Sequence, residues 1–263
     1  MKLKVVTFNL RMNTLYDGSH YFFNRSPFIL KMLKEEKPDI IGFQEATREI
    51  HAWLLANFSE YTFVGVGRDA DFSGEANPIA FLTNRFDLFC MHQFWLSPTP
   101  DIPGSRYEHQ SICPRVCVSA RLIEKKSGEV IRFYNTHLDH IDAEARRLGI
   151  SQILSTIESD YQNAPCPVIL TGDMNAEPDE ISMQAVRDAT CPVLVDASGD
   201  LKHTFHGYHG GSPYEGDGKI DYIYTNLVSS PILCDVWDGN ENGLYLSDHY
   251  PIMAELDTDL LTQ

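Results

Sequence analysis

The sequence predicts an α/β (α+β) fold in which two mixed β-sheets pack face to face and helices cover their outer surfaces. Three observations predict it. Apolar strand-length runs alternate with amphipathic helical stretches, and the middle of the chain is rich in strands joined by Gly-, Asn- and Asp-containing turns. No internal repeat, low-complexity tract or long linker divides the sequence, so one domain over residues 1–263 is expected.

Each element follows from its local pattern. Residues 3–8 read as a strand, and residues 25–37 place Phe28, Ile29, Met32 and Leu33 on one helical face before Pro38 stops the helix. A second strand spans 40–44. Thr47 then stands where an N-cap belongs, with Ile50, Trp53 and Leu54 on the apolar side of a short helix. Residues 61–67, 78–83 and 86–95 read as successive strands. Residues 116–123 and 129–135 flank Lys125-Lys126-Ser127-Gly128, a hairpin with a longer loop. Ile150, Ile153, Leu154 and Ile157 recur at i, i+3, i+4 and i+7, which makes 142–159 the clearest amphipathic helix. A buried strand at 167–171, a helix near 179–188 and a Gly- and His-rich loop over 202–218 follow. Strands at 220–225, 232–236 and 251–256 complete the order.

Composition narrows the function. With 43% hydrophobic residues there is ample material for a core. No stretch approaches the roughly 18 consecutive apolar residues that cross a bilayer, so stable membrane insertion is not expected. The opening apolar run is too short for a secretory signal and leads directly into a candidate site motif, so no cleaved leader is expected. The six cysteines are scattered, and Cys113-x-x-x-Cys117 lacks a second pair at zinc spacing. Reduced structural thiols and a cytoplasmic location are the expectation. A net charge of −16 offers none of the basic footprint of a non-specific nucleic-acid binder. Phosphate substrates stay open, because an acidic cluster that holds a divalent cation reverses the local field. No obligate protein partner is evident.

Chemistry gathers where apolar runs end. Thr7-Phe8-Asn9-Leu10-Arg11 and Gly42-Phe43-Gln44-Glu45 finish in Asn9 and Glu45, hard oxygen donors of the kind Mg²⁺ selects. Asn135-Thr136-His137-Leu138-Asp139-His140 supplies His137. In Leu170-Thr171-Gly172-Asp173-Met174-Asn175, an Asp and an Asn two apart face one side of a bent strand end, converging a base and a donor. Gly172 reads as a position where backbone passes close to a ligand. Ile220-Asp221 and Ser247-Asp248-His249 complete the set. A carboxylate beside His249 would fix its tautomer and raise its pKa, and Asp221 is the plausible partner. Asp248 is adjacent in an extended segment and points elsewhere, which suits it to metal or metal-bound water. Arg115, just before a strand, reads as a fork for a phosphate oxygen, with a surface salt bridge as the competing reading. Trp95, Tyr107 and Phe72 read as core, with base stacking or a lipid-like pocket as the alternative.

The ordered series Asn9, Gln44-Glu45, Thr136-His137, Gly172-Asp173-x-Asn175, Ile220-Asp221 and Ser247-Asp248-His249 resembles the endonuclease/exonuclease/phosphatase superfamily from residue 3 to about 257. Phe94-Trp95-Leu96-Ser97 with Cys113-Pro114-Arg115 resembles an uncharacterised microbial branch nearer the deadenylase-like exonucleases. The resemblance implies a four-layer α/β/β/α sandwich with Mg²⁺, or alternatively Mn²⁺, as cofactor. It implies Glu45 with Asn9 as the principal metal site and Asp248 at the metal shell. It further implies Asp173 as the group that positions or deprotonates water, with Asn175 and His137 around the scissile phosphate. By the same matching His249 stabilises the transition state and Asp221 orients it.

The resulting expectation is a metal-dependent phosphoesterase, first a nuclease of the 3′→5′ exonuclease type acting on short single-stranded nucleic acid. The alternative is a phosphatase or phosphodiesterase acting on a small-molecule or lipid-headgroup phosphoester. A catalytically idle scaffold is the reading from another class.

Overall fold

A computed structural model describes residues 1–227 and 233–258. Its elements in chain order are β1 (Lys2–Asn9), α1 (Phe22–Glu36), β2 (Ile40–Gln44), α2 (Arg48–Asn57), β3 (Tyr61–Val64), β4 (Ile79–Leu82) and β5 (Phe86–Trp95), followed by β6 (Val116–Glu124) and β7 (Val130–His137). Then come α3 (Ala143–Asn163), β8 (Val168–Asp173), α4 (Ile181–Arg187), β9 (Val195–Asp196), β10 (Asp221–Thr225), β11 (Leu233–Val236), β12 (Asn240–Glu241), β13 (Leu244–Tyr245) and β14 (Ile252–Asp257). One six-stranded sheet has the order β11-β14-β1-β2-β4-β3, and the other β5-β6-β7-β8-β10-β9.

Both sheets are mixed for the same reason. β1 and β2 run parallel because α1 carries the chain back between them, and β7 and β8 run parallel because α3 does. Hairpins and loops make the remaining neighbours antiparallel.

The central strands β2, β8 and β10 are buried on both faces, which accounts for their nearly unbroken apolar runs. Val5, Ile40, Phe81, Phe133, Ile169, Ile223 and Ile252 fill the space between the sheets. Neighbouring residues Val6, Ile41 and Phe43 point the other way, onto Phe22, Ile29, Leu33, Ile50 and Leu54 of α1 and α2. Tyr134, Leu170 and Tyr222 pack likewise on Ile150, Ile153, Ile157, Met183 and Val186 of α3 and α4. Three cores separate four layers, the α/β/β/α sandwich, and each fully buried large side chain contributes about 1.5–3 kcal/mol.

Near one rim the seam between the sheets turns polar. A Cβ on Gly42 would lie 2.2 Å from Thr171 Oγ1 and 2.6 Å from Asn135 Oδ1, so only glycine lets the sheets approach this closely. Asn135 stitches them together there, accepting from Gln44 Nε2 at 2.7 Å and donating to the Phe43 carbonyl at 2.7 Å. Gly172 has a comparable role and not the one expected. Its Cβ would come within 2.4 Å of the Thr136 carbonyl, so the close neighbour is strand β7 and not a ligand.

Several boundaries differ from the pattern-based ones. α1 starts earlier than residue 25, because Phe22 is drawn into the core against Trp53. The two-residue strands β9, β12 and β13 are too short to show any period. Thr47 and Asp142 do cap their helices, accepting from the backbone N–H of Ile50 and Ala145. In the expected strand 232–236, Ile232 lies outside the described residues.

Candidate active site

The C-terminal ends of both parallel pairs emerge at one rim, the customary place for ligands on such sheets. Asn9 pairs with Gln44 in register, and His137 with Asp173. Across the antiparallel neighbour, Asp221 lies opposite Asp173. Past the strand ends the backbone bends sharply: Arg11, Glu45 and Asn175 have φ of 54°, 58° and 47°. Each such non-glycine residue costs on the order of 1–2 kcal/mol, which the surrounding hydrogen bonds must offset.

Asp173 is the hub. Its Oδ2 accepts from Asn9 Nδ2 at 2.9 Å, and its Oδ1 from the backbone N–H of Asn175 at 2.9 Å. His137 Nε2 and His249 Nε2 stand 3.5 and 3.8 Å from Oδ2. Burial, reinforced by Asp221, raises the Asp173 pKa to about 7. His249 behaves oppositely. Burial would lower its pKa, but Asp221 outweighs that and lifts it to about 10, through a 2.8 Å contact with Nδ1. Thr204 Oγ1 donates to the same Asp221 oxygen at 2.7 Å and keeps it aimed. His137 is held well below the ordinary histidine value by burial and by Arg115 and Arg68, and is neutral. Asn175 is tied back by its Nδ2, which donates to the Leu138 carbonyl at 3.0 Å.

Glu45 and Asp248 both adjoin this hub, Glu45 through Asn9 and Asp248 at 4.0 Å from His249 Nε2. Glu45 accepts from Asn9 Nδ2 at 3.1 Å and from the Met12 backbone N–H at 2.9 Å. Burial raises its pKa, but the Met12 N–H, His249, Asn9 and Arg11 together leave it below the usual carboxylate value. Asp248 accepts from Ser247 Oγ at 3.1 Å and lies 3.7 Å from Arg11 Nε. Its pKa is raised by burial and by the charge of Glu45. Two neighbouring carboxylates with hard oxygens, one of which raises the pKa of the other, are the donor set that a divalent cation such as Mg²⁺ satisfies. The sequence also expects Asn9 as a ligand beside Glu45. Its oxygen accepts from the Arg11 backbone N–H at 2.9 Å, so its NH₂ group faces Glu45 and Asp173 and holds the carboxylates. Among the described residues, Asp173, Asp221 and His249 also offer ligand atoms within 4.8 Å of one another. The His249 Nδ1 is already committed to Asp221, which favours a hydrogen-bonded relay there and the Glu45–Asp248 side for metal.

Arg115 is not at the surface, so the surface salt bridge is excluded. It is 3% exposed, with Nη2 2.8 Å from His140 Nδ1 and Nε 3.7 Å from Asp139. Its Nε and Nη1 have no acceptor among the protein atoms. Trp95 is core, its Nε1 donating to the Arg68 carbonyl, and the Tyr107 hydroxyl bonds Gln152. Phe72 is exposed against the Trp95 edge. Arg146 of α3 bonds Glu180 and the Asp139 carbonyl.

Sequence reasoning missed four contributors: Arg11, Thr204, Phe205 and Arg25. Arg11 stands within a quoted motif. Thr204 and Phe205 lie in the loop before β10, where no period marks them; the Phe205 ring, 43% exposed, sits 4.9 Å from the His249 ring. Arg25 is fully buried and donates to the carbonyls of His20, Leu10, Arg11 and Leu246, so it clamps the segment after Asn9 to the segment before Ser247. An arginine in a helical pattern gives no sign of this. All six cysteines are free. Among the described residues no helix is long and apolar enough to cross a membrane.

A family profile described as Endonuclease/Exonuclease/phosphatase family matches residues 6–249. The endonuclease/exonuclease/phosphatase from Bacteroides vulgatus is 28% identical, with a TM-score of 0.87 over 98% of this chain and 99% of that one. The mannosyl-6-phosphatase Bt3783 from Bacteroides thetaiotaomicron VPI-5482 is 27% identical, with a TM-score of 0.83 over 97% and 99%. The human Nocturnin catalytic domain is 19% identical, with a TM-score of 0.71 over 97% and 94%, and shares the fold.

Proposed function

Because the chain belongs to the Endonuclease/Exonuclease/phosphatase family and is a hydrolase of phosphoester bonds, we propose that it uses Mg²⁺ to hydrolyse the phosphomonoester of a small phosphorylated molecule. The observation that carries the chemistry is Asp173, poised at about 7 between Asn9, His137 and His249. A base with that pKa accepts a proton from water near neutral pH without being saturated.

Glu45 and Asp248 would hold the metal, which when bound offsets charge on the phosphate oxygens. Asp173 takes the proton from a water whose oxygen attacks phosphorus, while the bond from phosphorus to the substrate alcohol breaks and the alcohol leaves with a proton from solvent. His249, cationic with Asp221 behind it, faces the negative charge that builds on the non-bridging oxygens. Neutral His137 and the Asn175 amide hold those oxygens, and Arg115 offers its unpaired donors to one of them.

A small substrate is favoured over nucleic acid, reversing the order expected from the sequence. The net charge of −16 opposes a polyanion, and the likeness to a mannosyl-6-phosphatase is at 27% identity against 19% for Nocturnin. The nuclease reading is supported by the half-exposed Phe205 ring beside His249, a platform on which a base can stack. Incubation with Mg²⁺ and a panel of phosphorylated metabolites and short labelled oligonucleotides, with Asp173→Ala as control, decides between them. Phosphate release from monoesters, lost in the variant, is expected. Oligonucleotide shortening without monoester hydrolysis would overturn the reading.

A further inference from the structure

A cleft of about 500 Å³ opens next to the segments that flank Glu45, within the range of roughly 300–1,000 Å³ that small-molecule sites occupy. Met12 lines it, and the Met12 backbone N–H is the group that holds Glu45. The opposite wall is a turn folded tightly on itself: Arg68 N–H donates to the Glu75 carbonyl, Asp69 N–H to Ser73, and Gly74 adopts a φ of +76° against the Asp69 carboxylate. The wall is therefore preorganised.

The charges in this cleft are mixed in sign. Arg48 and Arg68 face Glu49, Asp69 and Glu75, and Arg68 Nη1 meets Glu75 Oε2 at 2.9 Å with both side chains largely buried. Two guanidiniums against three carboxylates leave no positive field for a second phosphate or a nucleic-acid strand. The lining also lacks any aromatic ring on which a base could stack. Adjoining donors and acceptors of both charges suit a neutral ligand dense in hydroxyl groups, each of which both donates and accepts.

We propose that this cleft seats the alcohol portion of the substrate and that this portion is a polyol or sugar, with Arg68, Glu75, Arg48 and Glu49 as its specificity-determining residues. The inference rests on the monoesterase reading above and adds the class of alcohol. A sugar phosphate would lie with its phosphate at Asp173 and His249 and its hydroxyls between the Arg68–Glu75 pair and the start of α2.

The test compares a hexose 6-phosphate with p-nitrophenyl phosphate, which has no hydroxyl beyond the phosphate. For each, kcat/KM is measured in Mg²⁺ for the wild type, Glu75→Gln and the exposed double variant Arg48→Ala/Glu49→Ala. The double variant removes surface groups only, so it reports even if Glu75→Gln disturbs the fold. The ratio of kcat/KM for the sugar phosphate to that for the aryl phosphate is expected to fall at least tenfold, mainly through KM. An unchanged ratio in the double variant and in folded Glu75→Gln, with both substrates hydrolysed by the wild type, overturns the cleft assignment alone. Failure of the wild type on both monoesters overturns the monoesterase reading and the assignment with it.

Discussion

The Nδ1 of His249 lies 2.8 Å from the Asp221 carboxylate, which leaves its Nε2 turned toward Asp173, 3.8 Å away. One imidazole thus spans two carboxylates on adjacent strands. Asp221→Asn keeps the shape but removes the charge that holds His249 protonated. kcat is expected to fall by roughly two to four orders of magnitude with little change in the fold. Steady-state kinetics beside circular dichroism checks this, and near-normal kcat would remove His249⁺ from the mechanism.

Metal dependence should follow Glu45. Glu45→Ala is expected to raise the Mg²⁺ concentration for half-maximal rate by tenfold or more, since one of few protein oxygens is lost. Asp248→Asn should act in the same direction. A titration curve that superimposes on the wild type would move the metal elsewhere.

Arg25 makes a prediction about stability. Arg25→Met would leave the carbonyls of His20, Leu10, Arg11 and Leu246 without their buried donor. A loss of about 3 kcal/mol or more is expected, together with lower activity, because the segments carrying Asn9 and Asp248 are no longer clamped. Urea unfolding measures the first effect, and a variant as stable as the wild type would show the clamp to be redundant.

The metal-free protein should lose stability as pH rises. The folded-state pKa of His249 is about 10 against an ordinary 6.5, so its contribution is complete below 6.5 and is lost as pH passes through 10. Asp173, raised from 3.8 to about 7, has the same sign over the lower window. Melting in EDTA should therefore show Tm declining from pH 7 to pH 10, and His249→Asn should flatten that decline. Parallel curves for the two proteins would contradict the assignment.

Gly42→Ala is expected to destabilise by at least 1–3 kcal/mol, about the cost of overpacking, because its methyl group meets Thr171 and Asn135 across the seam. Gly128, whose added Cβ meets nothing within 4 Å, is the comparison site, although its φ of +75° carries its own strain. Chemical denaturation of both variants separates the close approach from generic loss of glycine.

What the sequence revealed depended on periodicity and on charged ends of apolar runs. β1, β2, β8 and α3 were legible because their apolar residues recur at the periods of buried strands and amphipathic helices, and Asp173 and His249 because they close such runs. Groups that act through backbone geometry left no mark. Arg25 works by reaching carbonyls far away in sequence, Thr204 by aiming a carboxylate from an irregular loop, and Asn135 by crossing between layers. The orientation of Asn9 was equally hidden, since an amide offers an oxygen and a nitrogen, and only the neighbouring Arg11 N–H decides which of them faces the carboxylates.

The pairing of β14 with β1 has a consequence for biosynthesis. β1 leaves the ribosome some 240 residues before the strand that covers one of its edges and the Asp248-His249 pair that precedes that strand. Until then the nascent chain carries an open strand edge and a rim without its histidine. Hydrolytic competence should therefore appear abruptly and late, and a chain stalled before residue 248 should be both inactive and prone to edge-to-edge association.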